Sequence, residues 1–442
     1  MRYAIIVVLA FSLFVVGGAA APAKEVVIAH FHGPNGSRPF SGPLVADAAG
    51  NLYGTTYYGG HVFGNCNPDG CGAVYELTPL QSGGWAESVI YAFRFGTDGF
   101  HPWGGVILDR AGDVFGTTQY GGAHLNGTVF ELTPPSKPGG TWTKHALYNF
   151  QGGKDGAQPV ASLTLDVFGD LFGTTLRGGF GMGCCGTAFK LTPPSKPSQH
   201  WTETVLYRFG GINDGDFPKA GMVLDAAGNL YGTTTGDLRN TFGNVFELSP
   251  PPMPGGAWTE TDLFNFSGQP IADGFAPYGA LIRDDAGNLY GTTVHGGKTT
   301  DACTIQPQFL QGCGTVFELQ PPSMPGGAWT EVVLYQFQGG NDGLNPEAGL
   351  TANAAGDLFG TTGGPDFFPN GTVFELQPPG QGGGSWTETV LHDFGIGNDG
   401  YSPAGPPVID AAGALVGGTA GGGGNTCRYT PPYCGIVYEI TP

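Results

Sequence analysis

The chain has 442 residues, a net charge of −19 with only 17 Lys and Arg, 40% hydrophobic and 12% aromatic residues, and 81 Gly beside 36 Pro. So few basic residues exclude a patch that neutralises phosphates, so neither nucleic acid nor an anionic membrane surface is an expected partner. The apolar and aromatic content excludes a chain without a core and leaves the glycines and prolines as punctuation between short segments.

The N-terminus carries Arg2, an apolar run over residues 4–16 and the small-residue sequence Ala21-Pro22-Ala23. This order of charge, apolar run and A-x-A site predicts a signal peptide over residues 1–23, released to leave Lys24 first, with the mature protein exported and free of the membrane. An uncleaved anchor is the alternative, and the run is short for a span. The segment EVVIAHF at 25–31 then reads as a strand.

From there one phrase recurs. DAAGNLYGTT stands at 47–56 and 225–234, DDAGNLYGTT at 284–293, and looser copies begin at Asp109, Asp166, Asn353 and Asp410. Gly54, Gly116, Gly173, Gly232, Gly291, Gly360 and Gly417 mark the copies, 57 to 69 residues apart. Each unit offers four segments rich in Val, Tyr, Phe and Thr: an apolar run such as AGMVLD (220–225), then NLYGTT, then GTVFELTP (127–134), then WTETVLYRF (201–209). All read as strands, with Asp-x-x-Gly making a bulged hairpin between the first two.

Four strands per unit, repeated seven times over residues 24–442, predict an all-β fold, a seven-bladed β-propeller. The last unit ends on a third strand, GIVYEITP, and EVVIAHF aligns with the fourth strand of a unit. The N-terminal strand is therefore expected to complete the last blade and remove an open edge. A monomer is expected.

The eight cysteines form four close pairs, Cys66/Cys71, Cys184/Cys185, Cys303/Cys313 and Cys427/Cys434, each second member followed by Gly. In an exported chain these predict local disulfides, and a zinc site is the weaker reading because no second pair or His stands at ligand spacing. A vicinal Cys184–Cys185 bridge would be strained, with a free or cross-paired thiol as the alternative.

Candidate site residues fall in two groups. The loops leading into each new unit carry D-G-x-x-P: Asp98, Asp155, Asp214, Asp273, Asp342 and Asp399, with Asn35 in the seventh place. A ring of carboxylates on one propeller face could hold Ca²⁺ or a sugar-like ligand, whereas turn chemistry explains the same Asp-Gly without any ligand. Asymmetric residues are the better functional signal, and His32, His61, His101 and His124 gather in same-face loops around the first two blades. Clustered imidazoles could ligate metal or act as acid and base. Six aligned tryptophans, Trp85, Trp142, Trp201, Trp258, Trp329 and Trp386, read as packing between blades, with a sugar platform as the alternative. No nucleophile elbow, phosphate loop or H-E-x-x-H sequence is present.

The combined phrase D-x-x-G-N-L-Y-G-T-T, G-T-V-F-E-L-x-P, W-T-E-x-V-L-Y-x-F and D-G-x-x-P resembles the GloVer tandem repeat of exported bacterial proteins, across essentially all of the mature chain. The resemblance implies a secreted, propeller-shaped protein and transfers no catalytic residue. Members often carry a sorting or anchoring tail, whereas this chain ends on a strand. More distantly, the D-x-x-G-N-x-Y turn is similar to that of NHL-type propeller repeats, which are mostly binding scaffolds. The expected function is a non-catalytic recognition scaffold that binds a glycan, a small polar ligand or a protein on one face. The alternatives are a polysaccharide-active hydrolase or lyase with its site near the first two blades, and a structural envelope protein.

Overall fold

The computed structural model describes residues 23–441 apart from 40–41, 61–65, 67, 138, 181–184, 197–198, 211–213, 239–240, 254, 269–272, 301–302, 304–311, 325, 364–370, 381–382, 396–398, 404 and 425–433. Residues 1–22 of the expected signal peptide, His61, Cys184 and Cys427 lie outside the described residues.

The protein is an all-β, seven-bladed propeller with four antiparallel strands per blade. Strand β1 (Lys24–His30) precedes blade one, which consists of β2 (Val45–Ala46), β3 (Leu52–Thr56), β4 (Ala73–Pro79) and β5 (Trp85–Ala92). Blades two to six repeat that order, from Ile107–Leu108 as the innermost strand of blade two to Thr387–Phe394 as the outermost of blade six. Blade seven takes Val408–Ile409, Leu415–Gly421 and Ile436–Thr441 from the C-terminal end and β1 as its outer strand, with Lys24 opposite Thr441 and His30 opposite Ile436. A further short strand, Tyr401–Pro403, pairs with the far end of Leu415–Gly421.

Burial follows strand position. Second strands such as Leu52–Thr56 and Leu171–Thr175 are buried at every residue, because both faces meet neighbouring blades. Outer strands such as Thr202–Arg208 alternate between exposed and covered positions over their first four residues, the period-two pattern of a strand with one wet face, and are covered at the end nearest the D-G-x-x-P loops. Innermost strands are only two residues long, shorter than the six-residue apolar runs suggested. The residues just before them pack backbone to backbone with the neighbouring blade: a Cβ on Gly221 of blade four would lie 2.7 Å from the Ser162 carbonyl oxygen of blade three.

The repeated phrase divides into physical tasks. In Asp225–Gly228 the Asp225 carboxylate accepts the backbone N–H groups of Ala227 (2.9 Å) and Asn229 (2.8 Å), and Gly228 supplies φ +89°. The glycine of G-T-T serves a different need. Phe189 of the third strand lies across Gly173, and a Cβ there would meet its ring at 2.6 Å. The first threonine joins blades, since Thr55, Thr117 and Thr174 donate to the carbonyls of Gly104 (3.0 Å), Ala161 (3.1 Å) and Ala220 (3.0 Å) in the following blade.

Aromatic pairs close the ring. The phenylalanine ending each outer strand meets the third-strand aromatic of the next blade edge-on or tilted, as in Phe93–Phe130 (5.1 Å), Phe209–Phe246 (5.0 Å) and Phe394–Tyr438 (5.0 Å). Phe31, just past β1, makes the same contact with Tyr75 of blade one at 4.9 Å, so the closing strand is held on both sides. The tryptophans add a second inter-blade layer: Trp142, Trp201, Trp258 and Trp329 pack on Tyr53, Phe115, Phe172 and Tyr231 of the preceding blade at 6.2–6.4 Å.

Candidate functional site

The face bearing the D-G-x-x-P loops is built on a backbone ring that is the same in every blade. The residue before the proline, Arg38, His101, Gln158, Phe217, Ala276, Asn345 or Ser402, has φ between +51° and +59° in all seven blades. For a residue with a side chain this left-handed conformation costs roughly 1–2 kcal/mol. Hydrogen bonds hold it in place. His101 donates its backbone N–H to Cys71 of the previous blade (2.8 Å), and its carbonyl accepts from Gln119 (3.0 Å). Arg38, Gln158, Phe217 and Ala276 repeat both bonds. The backbone is thus invariant while its side chains differ in every blade, as do those just after the proline.

Two clusters arise where these variable positions meet. Around blades one and two, His101 stacks on Tyr57 at 4.4 Å, and Tyr57 also meets Trp103 edge-on at 5.2 Å. The Tyr57 hydroxyl donates to Gln119 Oε1 (2.8 Å), and burial lowers the pKa of His101 to about 4, so its ring is neutral near pH 7. Around blades four to six, the Lys219 ammonium lies 3.4 Å from the Tyr278 ring centroid, a close cation–π contact. Burial lowers the pKa of Lys219 to about 8, against the opposing attraction of Glu347. His295 is 7% exposed, and burial and then Lys219 lower its pKa to about 4. Its Nδ1, like the Oδ1 of Asn345 (4% exposed), has no hydrogen-bond partner among the described residues. The two clusters set aromatic faces beside polar groups, a combination that suits carbohydrate or another polar organic ligand.

The loop aspartates are fixed locally. Asp98, Asp155, Asp214 and Asp342 each accept a hydroxyl from a tyrosine seven residues earlier, at 2.8, 3.0, 2.5 and 3.0 Å respectively. Each also accepts a backbone N–H from four residues earlier, as Asp155 does from Gln151 (2.9 Å). Asp399 has His392 in the tyrosine's place. Asp273 is part-buried, and burial raises its carboxyl.

Opposite these aspartates stand acidic residues of the next blade's outer strand. Burial and then Asp155, Asp273 and Asp342 raise Glu203, Glu331 and Glu388 to about 7. Burial, Asp262 and Asp214 raise Glu260 to about 8. One Oε1 of each is buried without a partner among the described residues. Two junctions depart from this pattern, and both place a nitrogen donor there. Lys144 replaces the glutamate and sits 3.0 Å from Asp98, and Asn35 replaces the aspartate and donates to Glu87 at 2.7 Å.

His32 and His124 are exposed, and among the described residues no hydrogen bond or ring contact joins either to His101. Among the cysteines, Cys66–Cys71 and Cys303–Cys313 are disulfides with Cα atoms 5.2 and 4.9 Å apart. Cys185 and Cys434 are also disulfide-bonded, and no described cysteine is free.

Sequence reasoning from loop histidines missed His295, Lys219, Tyr278, Glu347 and Trp103. For all but His295 the signal was in the repeat alignment: the column after the D-G-x-x-P proline reads Phe40, Trp103, Val160, Lys219, Tyr278, Glu347, Ala404, while the Asp, Gly and Pro of the phrase recur in six of the seven copies.

Among solved structures, a protein of unknown function from Dyadobacter fermentans DSM 18053 is similar at 10% identity and a TM-score of 0.41, over 84% of this chain and 98% of that one. A putative oxidoreductase (glucose dehydrogenase) from Thermus thermophilus is similar at 12% identity and a TM-score of 0.40, over 95% and 100%. Likenesses this loose have no bearing on chemistry. No curated protein matches the chain. The model of the Gloeobacter/Verrucomicrobia repeat family matches residues 62–306 and 258–442, so this chain belongs to the Gloeobacter/Verrucomicrobia repeat family.

Proposed function

We propose that the protein is an exported, non-catalytic recognition scaffold that takes a glycan, a small polar ligand or a partner protein on the face of the D-G-x-x-P loops. The observation that carries this reading is the strained backbone ring, repeated seven times, whose side chains change from blade to blade. A scaffold that only had to close would not need different residues at its most constrained loop position. Lys219, Tyr278 and Glu347 offer a cation, an aromatic ring and a carboxylate on three successive blades, and Tyr57, Trp103 and His101 offer a second, more aromatic patch. Export is supported by the leader-like N-terminal sequence and by disulfides, which persist in oxidising compartments. Among the described residues no helix is long and apolar enough to cross a membrane.

The polymer-active alternative draws less support. His101, the candidate acid–base group of blades one and two, is a weak base in its aromatic surroundings, far from the pKa that serves catalysis near neutrality. A Ca²⁺ role for the loop aspartates would have to displace the tyrosine hydroxyls and backbone N–H groups they already accept. The test is a panel of immobilised glycans and soluble sugars, probed with and without chelator, using wild type, Lys219→Met and Trp103→Ala. Binding that falls at least tenfold in either variant supports the reading. Binding untouched by both, or a flat panel, moves the weight to a structural envelope role.

A further inference from the structure

The seam between blade six and the closing strand β1 differs from every other junction. At the matching outer-strand position the other blades hold Tyr91, Tyr148, Tyr207 and Tyr335, each donating its hydroxyl to the loop aspartate, or the apolar Phe264 and Ala29. Here it is His392, whose Nε2 lies 3.0 Å from Asp399 Oδ1. Across the seam β1 contributes Glu25, and one ligand atom from each of Glu25, His392 and Asp399 falls within 4.8 Å of the others. All three side chains are part-buried, and Glu25 Oε1 is buried with no hydrogen-bond partner among the described residues. At the equivalent place in blade two the ammonium of Lys144 rests on the loop aspartate, so this junction accommodates a cation.

We propose that Glu25, His392 and Asp399 form a binding site for a divalent transition-metal ion, zinc in preference to calcium or magnesium, that fastens the N-terminal strand to blade six. An imidazole with two carboxylates is a borderline donor set that suits zinc, whereas calcium and magnesium select oxygen ligands alone. Tetrahedral zinc with bonds of about 2.1 Å places its ligands roughly 3.4 Å apart, compatible with the spacing found here. Three protein ligands leave a fourth position for water or a small donor. The ion would meet the uncompensated Glu25 oxygen and tie together two elements almost a whole chain length apart in sequence.

The test uses the purified protein stripped with chelator, titrated with zinc by calorimetry and followed in parallel by thermal melting. One zinc per chain is expected, with the midpoint rising roughly 3 °C at a hundredfold excess over Kd. His392→Tyr restores the residue the repeat uses elsewhere and can keep a bond to Asp399, so it should fold and melt like the metal-free wild type. Its zinc affinity should fall at least tenfold, as should that of Glu25→Gln. An equal response to calcium or magnesium, wild-type zinc affinity in His392→Tyr, or absence of stoichiometric zinc would each overturn the proposal. So would a metal-free melting point that rises as pH falls from 7 to 5 while zinc has no effect, since a protonated imidazole would then be bridging the carboxylates.

Discussion

Phe31→Ala tests ring closure at a single side chain. Phe31 is 1% exposed, lies just past β1 and meets Tyr75 of blade one at 4.9 Å. Truncating a buried phenylalanine costs about 3–5 kcal/mol, of which the aromatic pair supplies about 0.5–1.5. With an unfolding entropy of about 2.1 cal/mol/K per residue, a ring of about 420 residues that unfolds as one unit loses about 4–5 °C of melting temperature for 4 kcal/mol. Differential scanning calorimetry reads this directly. Phe93→Ala, the equivalent of Phe31 in blade one, should cost about the same, because Phe93 is 0% exposed and makes the matching contact with Phe130. Phe168→Ala is the control: this side chain is 82% exposed and its loss should stay within about 0.5 kcal/mol. If Phe31→Ala behaves like Phe168→Ala while Phe93→Ala is severe, β1 is an appendage and the ring is not closed through it.

Other expectations follow from the same geometry. Gly116→Ala should cost about 1–3 kcal/mol by thermal melting, because its Cβ would lie 2.6 Å from the buried Phe130 ring, whereas Gly380→Ala, with nothing within 4 Å, should be near neutral. The glutamates raised to about 7 or 8, Glu203, Glu260, Glu331 and Glu388, hold protons in the folded state that an unfolded chain releases near 4.5. Their contribution is fully present below that lower value and is lost as pH rises through 7 to 8. Between pH 6.5 and 8 the stability should therefore fall, by roughly 1–2 kcal/mol per pH unit in total after discounting for partial exposure, and a melting temperature that stays flat or rises would contradict the buried pairs. Below pH 6.5 the neutral His101 and His295 act in the opposite direction, flattening the profile toward acid. Lys144→Met should destabilise blade two by a few kcal/mol, since Asp98 would lose its ammonium partner; a neutral result would mean the pair is only a surface contact.

The fold was readable in the sequence because each repeat spells out its own local chemistry. Asp225 and Gly228 make a hairpin that depends on nothing outside five residues, and the eight-residue step from Trp201 to Phe209 sets the two at opposite ends of an outer strand. Even the closure was legible, since Glu25–Phe31 aligned with a fourth strand that the last unit lacked. The site was much less so. Lys219 and Tyr278 touch only because successive blades bring loops 59 residues apart together, a contact no local pattern encodes. His101 was visible as a loop histidine, but its neutral state depends on burial beside Tyr57, which stands 44 residues earlier. The loop aspartates looked like a ring of carboxylates, yet the structure divides them among blade junctions, where each is joined to its own tyrosine, lysine, histidine or glutamate.

The central claim is that the repeated residues build the propeller and the variable column after each D-G-x-x-P proline does the recognising. It is tested most directly by replacing Trp103, Lys219, Tyr278 and Glu347 together with the short apolar residue that blade three carries at Val160, and measuring both melting temperature and binding on the glycan panel. The quadruple variant is expected to melt within about 3 °C of wild type and to lose at least a hundredfold in affinity. A variant that unfolds would place these residues in the scaffold, and one that binds as wild type would place recognition elsewhere on the molecule.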